Sequence, residues 1–247
     1  MKPINNEIKK RGDIYMDHSV SLSNIDLFKV QDHLSGMIYC GSDQEWYSAR
    51  RQRLTGCGPS TAANLLLYDN RKQDMSGEEC DKKCLLSLME EIWKFVTPKE
   101  DGIPSINMFI DGMEVYAKKQ DRVYRYFSIN ICENKEQRKN ISEVINFLVS
   151  GIRQDRPIAF LNLCNGEEWN LERWHWVTIY SLEYNENKSE AWAYICDEGE
   201  AKKIDLSLWL HTSTRGGGFL YFIEEKSFIK STQAFSTDSK LSGGQIE

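Results

Sequence analysis

The stretch Gly56-Cys57-Gly58-Pro59-Ser60-Thr61-Ala62-Ala63-Asn64-Leu65-Leu66-Leu67-Tyr68 sets a cysteine between two glycines and runs directly into an apolar helical pattern. Pro59 suits a first helical turn, where its missing N–H is not needed, and the alanines and leucines that follow are good helix formers. Cys57 is therefore expected at a helix N-terminus. The positive end of the macrodipole and several unpaired N–H groups make that an environment in which thiolate is favoured over thiol. The flanking glycines are expected to leave room for a substrate to approach the sulfur. A buried cysteine after a turn has the same local pattern, because free cysteine is among the most buried residue types. The rest of the chain has to decide between a nucleophile and a packing residue.

A chain of 247 residues, 40% hydrophobic and 28% charged, can bury a sizeable core as one large domain or two small ones. The net charge of −6 argues against a broad nucleic-acid surface. The start, Met1-Lys2-Pro3-Ile4-Asn5-Asn6-Glu7, is polar where a signal peptide needs an apolar stretch, and no apolar run reaches membrane-spanning length. A cytoplasmic protein with no membrane segment is the expectation. Seven cysteines, an odd number at irregular spacing, fit reduced thiols better than a disulfide framework.

Residues 1–35 are weakly patterned and read as a mobile start followed by an arm that packs on the domain; residues 228–247 read as a flexible tail. Between them, residues 36–227 carry no Pro/Gly/Ser linker and read as one domain with two lobes. Gly36 to Gly41 is a strand candidate, and the charged Arg50-Arg51-Gln52-Arg53 is a solvent-facing segment or an anion contact. A second helix is expected from Gly77 to Val96, with Cys80, Cys84, Leu88, Ile92 and Phe95 as one apolar stripe, so that the two cysteines pack rather than clip a metal. Ser105 caps a third helix and Ile141–Ile152 forms a fourth. Arg122–Ile131 is strand-like. From Pro157 onward, residues 157–163, 174–182, 191–196 and 218–223 read as short strands of an antiparallel sheet. The fold class is α+β: a helical lobe carrying the cysteine, packed on an antiparallel β-sheet.

A cysteine nucleophile needs a base, and the base needs a group that fixes its tautomer. His175 heads one of the strands and Asp197 ends the next, 22 residues later, which fits two short strands joined by a hairpin loop within Glu183–Ser189. Such pairing sets an acid beside the imidazole, with Trp174 and Trp176 as a water-excluding surround. His18 and His33 precede the folded part and His211 follows a helix start at Asp205; none has comparable neighbours. Cys57, His175 and Asp197 together are the candidate catalytic set.

The cysteine block, the His175-Trp176-Val177-Thr178-Ile179 strand, and Asp197-Glu198-Gly199 with Ile204-Asp205-Leu206 resemble the papain-like cysteine peptidases of the bacteriocin-leader-processing type and their bacterial relatives, over residues 36–223. The resemblance implies Cys57 as nucleophile, His175 as general base and then acid, Asp197 as its orienter, a peptide or protein substrate, and neither cofactor nor metal. It also implies a glutamine that donates to the oxyanion. Gln44, thirteen residues before Cys57 and directly after the strand candidate, is preferred; Gln52, five residues before it, is the alternative. Two other readings stand beside hydrolysis: acyl transfer to an amine or thiol, as in transglutaminase-like and phytochelatin-synthase-like enzymes, and a non-catalytic peptide-binding module on the same fold.

Overall fold

The computed structural model describes residues 16–74 and 80–225. The expected mobile start at 1–15 and the tail at 228–247 lie outside the described residues. The architecture is α+β, a helical lobe against an antiparallel sheet, as expected. The helices are α1 (Arg50–Thr55), α2 (Cys57–Gln73), α3 (Lys82–Trp93), α4 (Ile106–Lys119), α5 (Ile141–Arg153) and α6 (Leu206–Thr212). The strands are β1 (His18–Ser21), β2 (Lys29–Gln31), β3 (Ile38–Cys40), β4 (Val123–Ile131), β5 (Ile158–Asn162), β6 (His175–Tyr184), β7 (Ala191–Asp197), β8 (Glu200–Asp205) and β9 (Gly217–Glu225).

The main sheet runs β4-β9-β5-β6-β7-β8, every pair antiparallel, and β2 and β3 form a separate ribbon. One edge of β6 is shared end to end: β5 takes residues 175–179 and β1 takes 181–184. All of β6 except Glu183 is buried, the polar His175, Thr178 and Ser181 included. Helix α2 is buried from Cys57 through Asp69, wedged between the sheet and the other helices. One large apolar cluster joins α5, α6 and the sheet; a second joins Cys57, Phe109, Trp176 and Leu220.

Local chemistry sets the helix starts. The Ser105 side chain accepts from Met108 N, and Asn140 with Glu143 closes a reciprocal capping box on α5. Asp81 accepts from Cys84 N and starts α3 at Lys82; the Gly77 start falls outside the described residues. The expected stripe holds at Cys80, Leu88, Ile92 and Phe95, which pack on the apolar clusters, and fails at Cys84. The buried positions of α3 are Leu85, Met89 and Ile92, while Cys84 is exposed with its sulfur 2.8 Å from that of half-buried Cys80. The expectation of reduced thiols throughout also fails at one pair: Cys40, at the end of β3, and Cys196, in β7, form a disulfide. Spacing along the chain gave no sign of it, because the partners are 156 residues apart.

Candidate active site

Cys57 is the first residue of α2, preceded by Gly56 at φ −84° and ψ 0°. The two glycines serve packing, not substrate access as expected. A Cβ on Gly56 would run into the Gln52 carbonyl and the Tyr47 ring, and one on Gly58 would lie 2.7 Å from Ile103 Cδ1. Both Cα atoms are close-contact points that lock the start of α2, and with it the thiol.

His175 opens β6 and Asp197 closes β7, joined by the loop at 185–190. Imidazole Nε2 lies 2.6 Å from Asp197 Oδ1, with the two side chains 6% and 1% exposed. Nε2 is thereby committed to the carboxylate, and Cys57, which lines the same small cavity, acts on the imidazole from close by. The sulfur also lies 4.0 Å from the Trp174 carbonyl oxygen. Burial pushes the His175 pKa down, but the Asp197 and Cys57 hydrogen bonds outweigh it and raise the pKa to about 10. Burial pushes Asp197 up, and the His175 and Lys202 contacts hold it below the usual carboxylate range all the same.

Lys202 was not foreseen. Its Nζ donates to Asp197 Oδ2 at 2.8 Å. The signal was the Asp197-Glu198-Gly199 turn. Glu198 at φ +50° and Gly199 at φ +75° make a two-residue hairpin loop that pairs Asp197 with Glu200 and brings the next strand back alongside.

Gln44 follows β3 in a short 3-10 turn and lines one small cavity with Cys57, Ser60, Thr61, His175 and Asp197. Its Oε1 is buried and has no hydrogen-bond partner among the described residues. Gln52 is half-buried on α1 and outside that lining. Arg51 and Arg53 are turned to backbone carbonyls of Pro98, Tyr47 and Ser48.

Asn64, read from the sequence only as a helix residue, ties these parts together. Its Oδ1 accepts from Ser42 N at 2.8 Å and its Nδ2 donates to Thr178 Oγ1 at 3.2 Å. Ser42 Oγ donates to the Ser60 carbonyl. One buried amide thus joins the helix of Cys57, the loop of Gln44 and the strand of His175. Gly41, at φ +71°, packs so closely on Asn64 that a Cβ would come within 2.8 Å of its Oδ1.

The two tryptophans divide the expected shielding role. Trp176 is buried, stacks on Phe109 and donates from Nε1 to the Ile103 carbonyl at 2.8 Å. Trp174 is 44% exposed, at φ +55°, with the Arg215 guanidinium 5.2 Å from its ring. It stands at the mouth of an open cleft of about 510 Å³ that reaches Cys57 between Thr55, Asp101, Trp174 and Arg215. His18 lies in β1 against Tyr184 and His211 in the last turn of α6, both away from this site.

No protein-family model and no curated protein matches the chain. Among solved structures, UfSP from C. elegans is similar over 84% of this chain and 34% of its own, with a TM-score of 0.46 and 9% identity. The chain spans about a third of the length of that protein. Among the described residues, no helix is long and apolar enough to cross a membrane.

Proposed function

We propose that the protein is a cysteine hydrolase of the papain-like kind, cleaving a peptide amide bond through an acyl-enzyme on Cys57. The observation that carries this reading is a buried imidazole bonded to a carboxylate and set in one cavity with the sulfur of a cysteine at a helix N-terminus. A histidine kept only for packing needs no cysteine beside it; this one shares a small cavity with a thiol that borders an open cleft.

The Cys57 thiolate attacks the substrate carbonyl carbon, and the carbonyl π pair moves to oxygen. The Cys57 backbone N–H and the Gln44 side-chain amide donate to that oxyanion, Gln44 being preferred to Gln52 because it borders the sulfur's own cavity. The His175 imidazolium gives its proton to the leaving amine as the C–N bond breaks, which leaves a thioester and neutral histidine. His175 then takes a proton from water, the resulting hydroxide attacks the thioester, and the C–S bond breaks to return thiolate and imidazolium. Asp197 stays ionised throughout and holds the ring by Nε2.

The test is incubation with a diverse peptide library, read by mass spectrometry, beside Cys57→Ala. New shorter peptides from the intact protein alone, with an acid-trapped acyl adduct on Cys57, support the reading. An adduct with ligated, longer peptides assigns acyl transfer to an amine. No adduct and no change in the library overturns both.

A further inference from the structure

The carboxylate of Asp197 has two oxygens and two cationic neighbours. Oδ1 meets His175 Nε2 at 2.6 Å and Oδ2 meets Lys202 Nζ at 2.8 Å. Lys202 reaches it by register. Asp197 pairs with Glu200 across the β7–β8 hairpin, so Lys202, two residues further along the same face of β8, is the diagonal neighbour of Asp197. This is not a surface ion pair of small consequence, since the Asp197 side chain is 1% exposed and the Lys202 side chain 25%.

Charge counting gives Lys202 a consequence at the sulfur. An imidazolium next to a carboxylate is a neutral pair, and a neutral pair lends a thiolate much less support than a free cation. Adding the ammonium on the far oxygen restores one net positive charge to the row. Other charged groups around the row are Asp43, Glu198 and Glu200 at the carboxylate end and Glu100, Asp101 and Arg215 on the cleft at Cys57. Glu198 Oε2 is 4.0 Å from Lys202 Nζ. Burial raises the Asp43 and Glu198 carboxyls above the usual carboxylate range.

We infer that Lys202 is a positioning residue of the active site, the fourth in a row Cys57–His175–Asp197–Lys202, which fixes the Asp197 carboxylate toward His175 and keeps the row net positive toward the Cys57 thiolate. The inference rests on the reading of Cys57 as a nucleophile.

The test is the rate of iodoacetamide labelling of Cys57, mapped by mass spectrometry on the full chain at pH 6 and pH 9, for wild type, Lys202→Met and Lys202→Arg. Lys202→Met is expected to label about tenfold more slowly than wild type at pH 6 and about equally at pH 9. Lys202→Arg, which keeps the charge, is expected within about twofold of wild type at both. Should Lys202→Met not fold, Lys202→Gln, with a donor but no charge, carries the same expectation. A wild type in which Cys57 labels fast at pH 6 while the neutral variants match it, or lose the same factor at both pH values, overturns the role of Lys202. A wild type whose Cys57 labels no faster at pH 6 than exposed Cys132 overturns the nucleophile reading itself.

Discussion

At the residue scale, the side chain that organises the site most economically is Asn64, which carries no catalytic chemistry. Its amide satisfies Ser42 N and Thr178 Oγ1 inside the protein, and removing it strands both groups in a place water does not reach. A buried group left without its partner costs about 1–3 kcal/mol, and the cavity adds to that. Asn64→Ala is therefore expected to lower unfolding stability by about 3 kcal/mol in a urea titration and to slow Cys57 labelling, because the Gln44 loop and the His175 strand lose their common tie. Unchanged stability with unchanged labelling would show that the loop is held by something else.

At the element scale, the arm that precedes β2 belongs to the main sheet through β1 and is held at its other end by Asp155. That carboxylate accepts from Ser23 N at 2.8 Å, Ser23 Oγ at 2.7 Å and Tyr68 Oη at 2.7 Å, and pairs with Lys72 Nζ at 2.5 Å. Burial pushes its pKa up, but these contacts outweigh burial and hold it well below the usual aspartate value of 3.8. A carboxylate depressed in the folded state stabilises fully above its unfolded pKa and loses that contribution as pH falls through 3.8 toward the folded value. Asp155→Asn is expected to cost about 2 kcal/mol at pH 7, to flatten the stability loss below pH 3.8, and to speed hydrogen exchange at Ser23 N–H. Equal exchange at Ser23 in both proteins would contradict the anchoring role. Elements of this kind mark the limit of the sequence reading. Helices α2, α4 and α5 and strands β5, β6, β7 and β9 announce themselves by apolar spacing and caps. In contrast, His18-Ser19-Val20-Ser21 has no apolar run and becomes a strand because β6 offers it an edge, and Glu200-Ala201-Lys202-Lys203 is a polar edge strand that reads as a loop. The Cys57, His175 and Asp197 set was legible because a helix start and a hairpin spacing are local signals. Lys202 and Asn64 were not, because a lysine near a turn reads as a solvated charge and an asparagine in a helix as a neutral filler until the register brings each to its partner.

At the scale of the whole molecule, the Cys40–Cys196 disulfide joins the ribbon that leads to Gln44 to the strand that ends in Asp197, two regions 156 residues apart. A crosslink closing so long a loop restricts the unfolded chain strongly, which for native disulfides is worth about 2–5 kcal/mol. Peptide mapping without reductant is expected to recover Cys40 and Cys196 as one linked pair, and reduction is expected to lower the denaturant midpoint. Two free thiols at these positions in the oxidised protein would contradict the pairing. The fold as a whole brings a helix N-terminus and the ends of two strands to one point, and the central claim is that the Cys57 sulfur and the His175 imidazole act there as a unit. The most direct measurement is iodoacetamide labelling of Cys57 against pH, with Cys132 as internal reference, in the intact protein and in His175→Ala. The expected result is fast labelling of Cys57 below neutral pH that drops at least tenfold toward the reference when the imidazole is removed. Labelling of Cys57 that is slow from the outset, or that ignores the loss of His175, would contradict it.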